Sequence, residues 1–160
     1  TKKKDLKMIM QNERRCEGQF SHTDFRQGKG NALKNRKPNE ADEKISRILI
    51  KVGIVPNVKG YRYLRDAVLI AMDNMDVMNS ITKGLYPMVA ENFDTSSSRV
   101  ERAIRHAIEI ATNSGKMENI NALFGMKIYA KNERPTNSEF IALLADRLIM
   151  DFGFERSYSY

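Results

Sequence analysis

Tryptophan is absent from this 160-residue chain, cysteine occurs once, histidine twice and proline four times. Each scarcity excludes something. Cys16 alone cannot close an internal disulfide, so no cystine framework holds the fold and a cytoplasmic protein is expected. His22 stands alone, and His106 has only Glu109 and Ile110 at the i+3 and i+4 positions. One imidazole with one carboxylate makes a poor zinc set, so neither a metal nor a cofactor is expected. No apolar run approaches the ~20 residues that span a bilayer, and the lysine-rich start is not followed by an apolar signal core. A membrane role is therefore not expected. Paired carboxylates, a phosphate-cradling glycine loop and a nucleophile elbow are all missing, and the chain does not read as an enzyme.

What the chain does have is positive charge, unevenly spread. The net charge is +7. Residues 1–40 hold 11 Lys and Arg against 5 Asp and Glu, whereas residues 41–160 hold 16 against 15. Over 1–39 the apolar residues lack a sustained period, and Gly28, Gly30 and Pro38 punctuate a polar stretch, which reads as a flexible basic arm. Leu6, Ile9 and Met10 could share one short helical face, with little to bury. Such an arm attracts any polyanion, so specificity has to come from the body, 40–152, with 153–160 as a C-terminal tail.

The body reads as all-α. Ile45, Ile48, Leu49 and Val52 have helical spacing, with Asp42 and Glu43 in the first turn and Gly53 as C-cap. A second amphipathic segment starts near Gly60 and extends to about Met78, with Leu64, Ala67, Val68, Ala71, Met72 and Met75 on its buried side and Arg62 and Arg65 on a solvated one. Pro87 fits the first turn of a short helix that ends by Phe93, and Ala90 lets that helix approach a neighbour closely. A helical turn from Glu118 to Phe124 ends at Gly125, and Met126 to Arg134 forms a loop. Thr136 and Glu139 then make a capping box for the last helix, whose Phe140, Ile141, Leu144 and Leu148 face inward. The methionines read as core filling rather than an adaptable partner groove.

The stretch Ser97 to Ala111 carries two chemistries. At about 100° per residue, Val100, Ala103, Ile104, Ala107, Ile108 and Ala111 form an apolar stripe, and Ser98, Arg99, Arg102, Arg105, His106 and Glu109 lie opposite. With the Leu85–Phe93 segment just upstream, this is a helix-turn-helix pattern for double-stranded DNA. Arg102, central on the polar face, can fork onto guanine O6 and N7, and Arg99 and Arg105 flank it by about one turn. Glu101 could accept from cytosine N4. It also fits a capping box with Ser98, and a carboxylate folded onto its own helix start cannot read a base. A helix starting at Thr95 or Ser96 would release it. His106 reads as a phosphate contact or a plain surface residue.

Four segments in this order, KGYRYLRDAV (59–68), NSITKGLYPMVAENF (79–93), SRVERAIRHAIEIA (98–111) and RPTNSEFIALLADRL (134–148), resemble the DNA-binding effector domain of the sporulation master regulator, stage-zero sporulation protein A. The resemblance covers about residues 42–152. It implies a six-helix domain that binds short promoter boxes as a head-to-tail homodimer on tandem sites and contacts the RNA polymerase sigma subunit. It places the base and phosphate contacts on Glu101, Arg102, Arg105 and His106, with Lys131 and Arg134 near the phosphate backbone. Taken with the spacing of the polar face, the expected base contacts are Arg102, Glu101 and Arg105, and the expected phosphate contacts Ser98, Arg99, His106, Lys131 and Arg134. That family carries a phosphoacceptor receiver domain before the effector, and residues 1–39 have no βα alternation around a phosphorylatable Asp. Two expectations stand: an excised effector half with an unusual linker, or a stand-alone paralogue without phosphorylation control. In the second case the basic arm supplies nonspecific DNA affinity in place of phosphorylation-driven dimerisation. The competing expectation is a helical protein-interaction module that modulates the intact regulator without reading DNA.

Overall fold

The computed structural model describes residues 38–157, with side chains over 40–153. The chain divides into two units, Thr1–Asn31 and Ala32–Tyr160, and the described residues belong to the second. The arm expected over 1–39 lies outside the described residues except for its last two positions. Those two open the first helix. Pro38 is therefore a helix start rather than arm punctuation, a position where its missing N–H breaks no helical bond.

Among the described residues the domain is all-helical, with six α-helices: α1 (Pro38–Lys51), α2 (Lys59–Asp73), α3 (Tyr86–Asn92), α4 (Ser97–Asn113), α5 (Asn119–Phe124) and α6 (Asn137–Ser157). The last runs past the boundary expected at 152. None of them is long and apolar enough to cross a membrane. Gly53, at φ +90°, turns the chain out of α1, and the Ile54 N–H returns to the Leu49 carbonyl at 2.8 Å, as a left-handed C-terminal cap requires.

Helix α2 is the hub, packed on α1, α3, α4 and α6. It buries Gly60, Tyr61, Leu64, Ala67, Val68, Ala71 and Met72. Gly60 marks its tightest crossing. A Cβ there would stand 2.3 Å from the Ala103 carbonyl oxygen and 2.7 Å from the Ala107 Cβ, so α2 and α4 touch backbone to backbone. The small residues of the α4 stripe have a structural meaning here: they make room for the hub.

Two expectations about α2 are corrected. The helix ends at Asp73, not near Met78, because Asn74 is extended (φ −147°, ψ 99°) and its side chain accepts from the Asp76 N–H at 3.0 Å. That Asx turn opens a 3₁₀ turn (Met75–Ser80), and Met75 is exposed instead of buried. Arg65 is not on a solvated face either. It is half-buried, 3.6 Å from Asp42 of α1 and over the Tyr61 ring.

A π-type turn (Ile81–Leu85) leads directly into α3, with Pro87 in the first turn as its chemistry demands. Leu85, Tyr86, Val89 and Ala90 are buried. The C-terminal end of α3 is tied to α2 twice: Asn92 donates to the Asp66 carboxylate at 2.8 Å, and the Phe93 ring meets Tyr63 edge-on at 5.1 Å. Between α3 and α4, Asp94 adopts φ +50°, and the Thr95 N–H returns to the Ala90 carbonyl at 2.9 Å. The loop after α5 is held chiefly by Asn121, with the Glu133 carboxylate accepting from the Ala130 N–H at 2.9 Å further on. Asn121 Oδ1 accepts from the Ile128 and Tyr129 N–H groups at 2.6 and 2.9 Å, and its Nδ2 donates to the Tyr129 carbonyl at 2.7 Å. The capping box of α6 forms reciprocally, with both Thr136–Glu139 bonds at 3.2 Å.

Two outcomes follow from this packing. Gly60→Ala should lower stability by about 1 to 3 kcal/mol in chemical denaturation, because the added methyl meets backbone rather than a movable side chain; an unchanged midpoint would contradict the close crossing. The second concerns Asp66. Burial pushes its carboxyl up to about 6, against the opposing pull of the Asn92 hydrogen bond and Arg65, while Asp42 adds to the rise. The folded state thus holds a proton that the unfolded chain releases near pH 4, so the associated stability is complete below pH 4 and is lost as pH rises through 6. Asp66→Asn should raise the melting temperature at pH 7–8 and flatten its fall between pH 4 and 6; a lower melting temperature at pH 8 would be the contrary result.

Candidate nucleic-acid interface

The start of α4 decides what its polar face can do. Ser96 is the N-cap, extended at φ −99° and ψ 151°, and its Oγ accepts from the Arg99 N–H at 3.3 Å. The alternative of a cap at Ser98 with Glu101 folded back onto it is therefore set aside. Released from capping, the Glu101 carboxylate pairs with Arg105 one turn on.

Burial sorts α4 as its periodicity requires. Val100, Ile104, Ala107, Ile108 and Ala111 are buried, Ala103 is half-buried beneath Gly60, and Ser98, Arg99, Arg102, Arg105 and His106 are exposed. Among the described residues, neither Arg99 nor Arg102 has a carboxylate partner. Arg102 thus presents an uncommitted guanidinium at the middle of the face, with all five donors directed to solvent or to a ligand.

The neighbouring charges are lightly tied. His106 Nδ1 lies 3.8 Å from one oxygen of Glu109, and Arg134 Nη1 lies 3.8 Å from the other. Glu109 thereby draws Arg134, from the loop before α6, up to the side of α4. Exposed pairs of this kind contribute about 0.3–0.5 kcal/mol, whereas a bidentate arginine–guanine contact discriminates by about 1–3 kcal/mol. The Glu101–Arg105 pair can therefore orient both side chains and still yield to a base.

The two basic loop residues are not brought together. Arg134 joins Arg105 in a cleft of about 430 Å³ lined also by Thr82, Tyr86, Glu101 and the first residues of α6. Lys131 instead lies against Gly115, just past the end of α4. That end is roughly 16 Å along the axis from Arg102, at 1.5 Å per residue.

Three residues that shape this interface carried no site assignment from sequence reading. Gly60 sets the depth of α4 on the hub, Asn121 holds the loop that delivers Arg134, and Asn137 bonds both Tyr86 and Glu101. Gly60 carried no distinct signal, because at the second position of α2 it reads as part of a helix start and only the fold sets it against Ala103 and Ala107. The asparagines had none either, because each acts on partners that only the fold brings near.

The family model described as sporulation initiation factor Spo0A C terminal matches residues 45–148, from α1 into α6. The match covers the hub, the helix-turn-helix pair and the capped start of the last helix as one unit. The chain belongs to the Spo0A C-terminal family, the DNA-binding effector domains of a sporulation regulator.

Proposed function

We propose that this domain reads a short promoter box in double-stranded DNA, with α4 as the recognition helix in the major groove. The observation that carries the reading is Arg102, exposed at the centre of the α4 polar face and without a carboxylate partner among the described residues. Arg102 is the chief base reader, bidentate to guanine, with Glu101 and Arg105 as adjacent base contacts once their mutual pair opens. Ser98, Arg99 and His106 line the same exposed face and meet the phosphate walls, joined on one flank by Arg134. Lys131, beyond the C-terminal end of α4, serves a more distant phosphate.

Family membership supports the wider setting: a cytoplasmic, nucleoid-bound regulator that docks as a head-to-tail homodimer on tandem boxes and touches the RNA polymerase sigma subunit. Its work is binding rather than catalysis. The competing reading, a helical interaction module without DNA specificity, predicts no difference between a tandem box and scrambled DNA.

Anisotropy titrations on the two duplexes at two salt concentrations separate these readings. Arg102→Ala should cost about 1 to 3 kcal/mol on the box and relax the preference at one base, with little change on scrambled DNA. Lys131→Ala should weaken both duplexes alike and lower the salt slope by about one. Equal losses on both duplexes for Arg102→Ala would remove its base-reading role.

A further inference from the structure

Asn137 is the first residue of α6, immediately after the Thr136 of the capping box. Its Nδ2 donates two hydrogen bonds, one to the Tyr86 hydroxyl at 3.0 Å and one to the Glu101 backbone carbonyl at 3.2 Å. These partners are 51 and 36 residues away in sequence. Tyr86 opens α3 and Glu101 lies in the second turn of α4. One amide thus joins the last helix to both members of the helix-turn-helix.

The orientation of that amide is dictated by chemistry. A backbone carbonyl only accepts, so the NH₂ group has to face Glu101, and both of its protons are then committed. Tyr86 is buried, which pushes its hydroxyl pKa upward, and the charges of Glu101 and Arg105 also act on it. Tyr86, Asn137, Glu101 and Arg105 line one cleft. The residue whose backbone Asn137 holds is the one whose carboxylate holds Arg105.

We infer that Asn137 is a positioning residue for DNA reading: by clamping the Glu101 backbone to Tyr86, it sets the rotation of α4 on α3 and so the direction in which Arg102 and the Glu101–Arg105 pair are presented. It rests on the reading of α4 as the recognition helix. Asn137 itself does not touch DNA in this scheme. Nonspecific binding depends on charge, which the clamp does not alter, whereas base reading depends on where the forks point. Losing the clamp therefore acts on the ratio of specific to nonspecific affinity.

The full chain is titrated with a tandem box and with scrambled duplex, well below its melting temperature. Asn137→Ala should reduce the affinity ratio about tenfold while leaving scrambled-duplex binding unchanged. Asn137→Asp keeps the shape and suits a helix start, but it has no donor for the Glu101 carbonyl. Its ratio should fall by the same factor, since its added charge weakens both duplexes together. Tyr86→Phe removes the α3 end of the same clamp and should lower the ratio in the same direction, by about threefold to tenfold, again without changing scrambled-duplex binding. A wild-type chain that discriminates, with both Asn137 variants folded and their ratio unchanged, overturns the proposal by itself. Loss of helical circular dichroism in both variants would make Asn137 a folding residue and overturn it equally. A wild-type chain with no preference for the box removes the recognition-helix reading, and this inference with it.

Discussion

The backbone contact between α2 and α4 at Gly60 is the constraint on which the rest of the domain depends. A helix can approach another this closely only where side chains vanish, and here a glycine faces Ala103 and Ala107. The approach seats the apolar stripe of α4 on the hub and directs its opposite face outward. The outward face of α4 is thus held by a crossing whose nearest atoms at Gly60 are the Ala103 carbonyl and the Ala107 methyl.

Around that crossing, short-range ties hold the angle of the helix-turn-helix. The Asp66–Asn92 bond and the Tyr63–Phe93 ring pair hold the end of α3 to the hub, while Asn137 reaches the start of α3 and the second turn of α4. These contacts flank the turn at Asp94, the one non-glycine residue with positive φ among the described residues. On the surface the charges are organised more softly. Glu101 and Glu109 each draw arginine or histidine into place through pairs worth a few tenths of a kcal/mol, weak enough for a base or phosphate to compete. A stiff interior under a soft surface suits a reader whose side chains adjust while its helix does not.

Much of this was legible in the residue order. The two faces of α4, the Pro87 start of α3, the Gly53 cap and the Thr136–Glu139 box all appear where period and capping chemistry placed them, since each depends on residues within a turn or two of one another. The misreadings have physical causes. Helix α2 kept an apolar period beyond Asp73, but the Asn74 side chain competed for the backbone and ended it. Arg65 has the spacing of a solvated residue, yet α1 brings Asp42 to it from outside its own helix.

The sequence by itself determined the helical class, the caps and the identity of the residues on each face of α4, because those follow from chemistry repeated every three or four positions. Only the tertiary structure decided that the helix begins after Ser96, that Glu101 turns to Arg105, that Arg134 rather than Lys131 joins the cleft beside α4, and that Asn137 clamps the pair together. The physical reason is range. A hydrogen bond or an ion pair acts over a few ångströms, and the chain must fold before residues dozens of positions apart come within that distance.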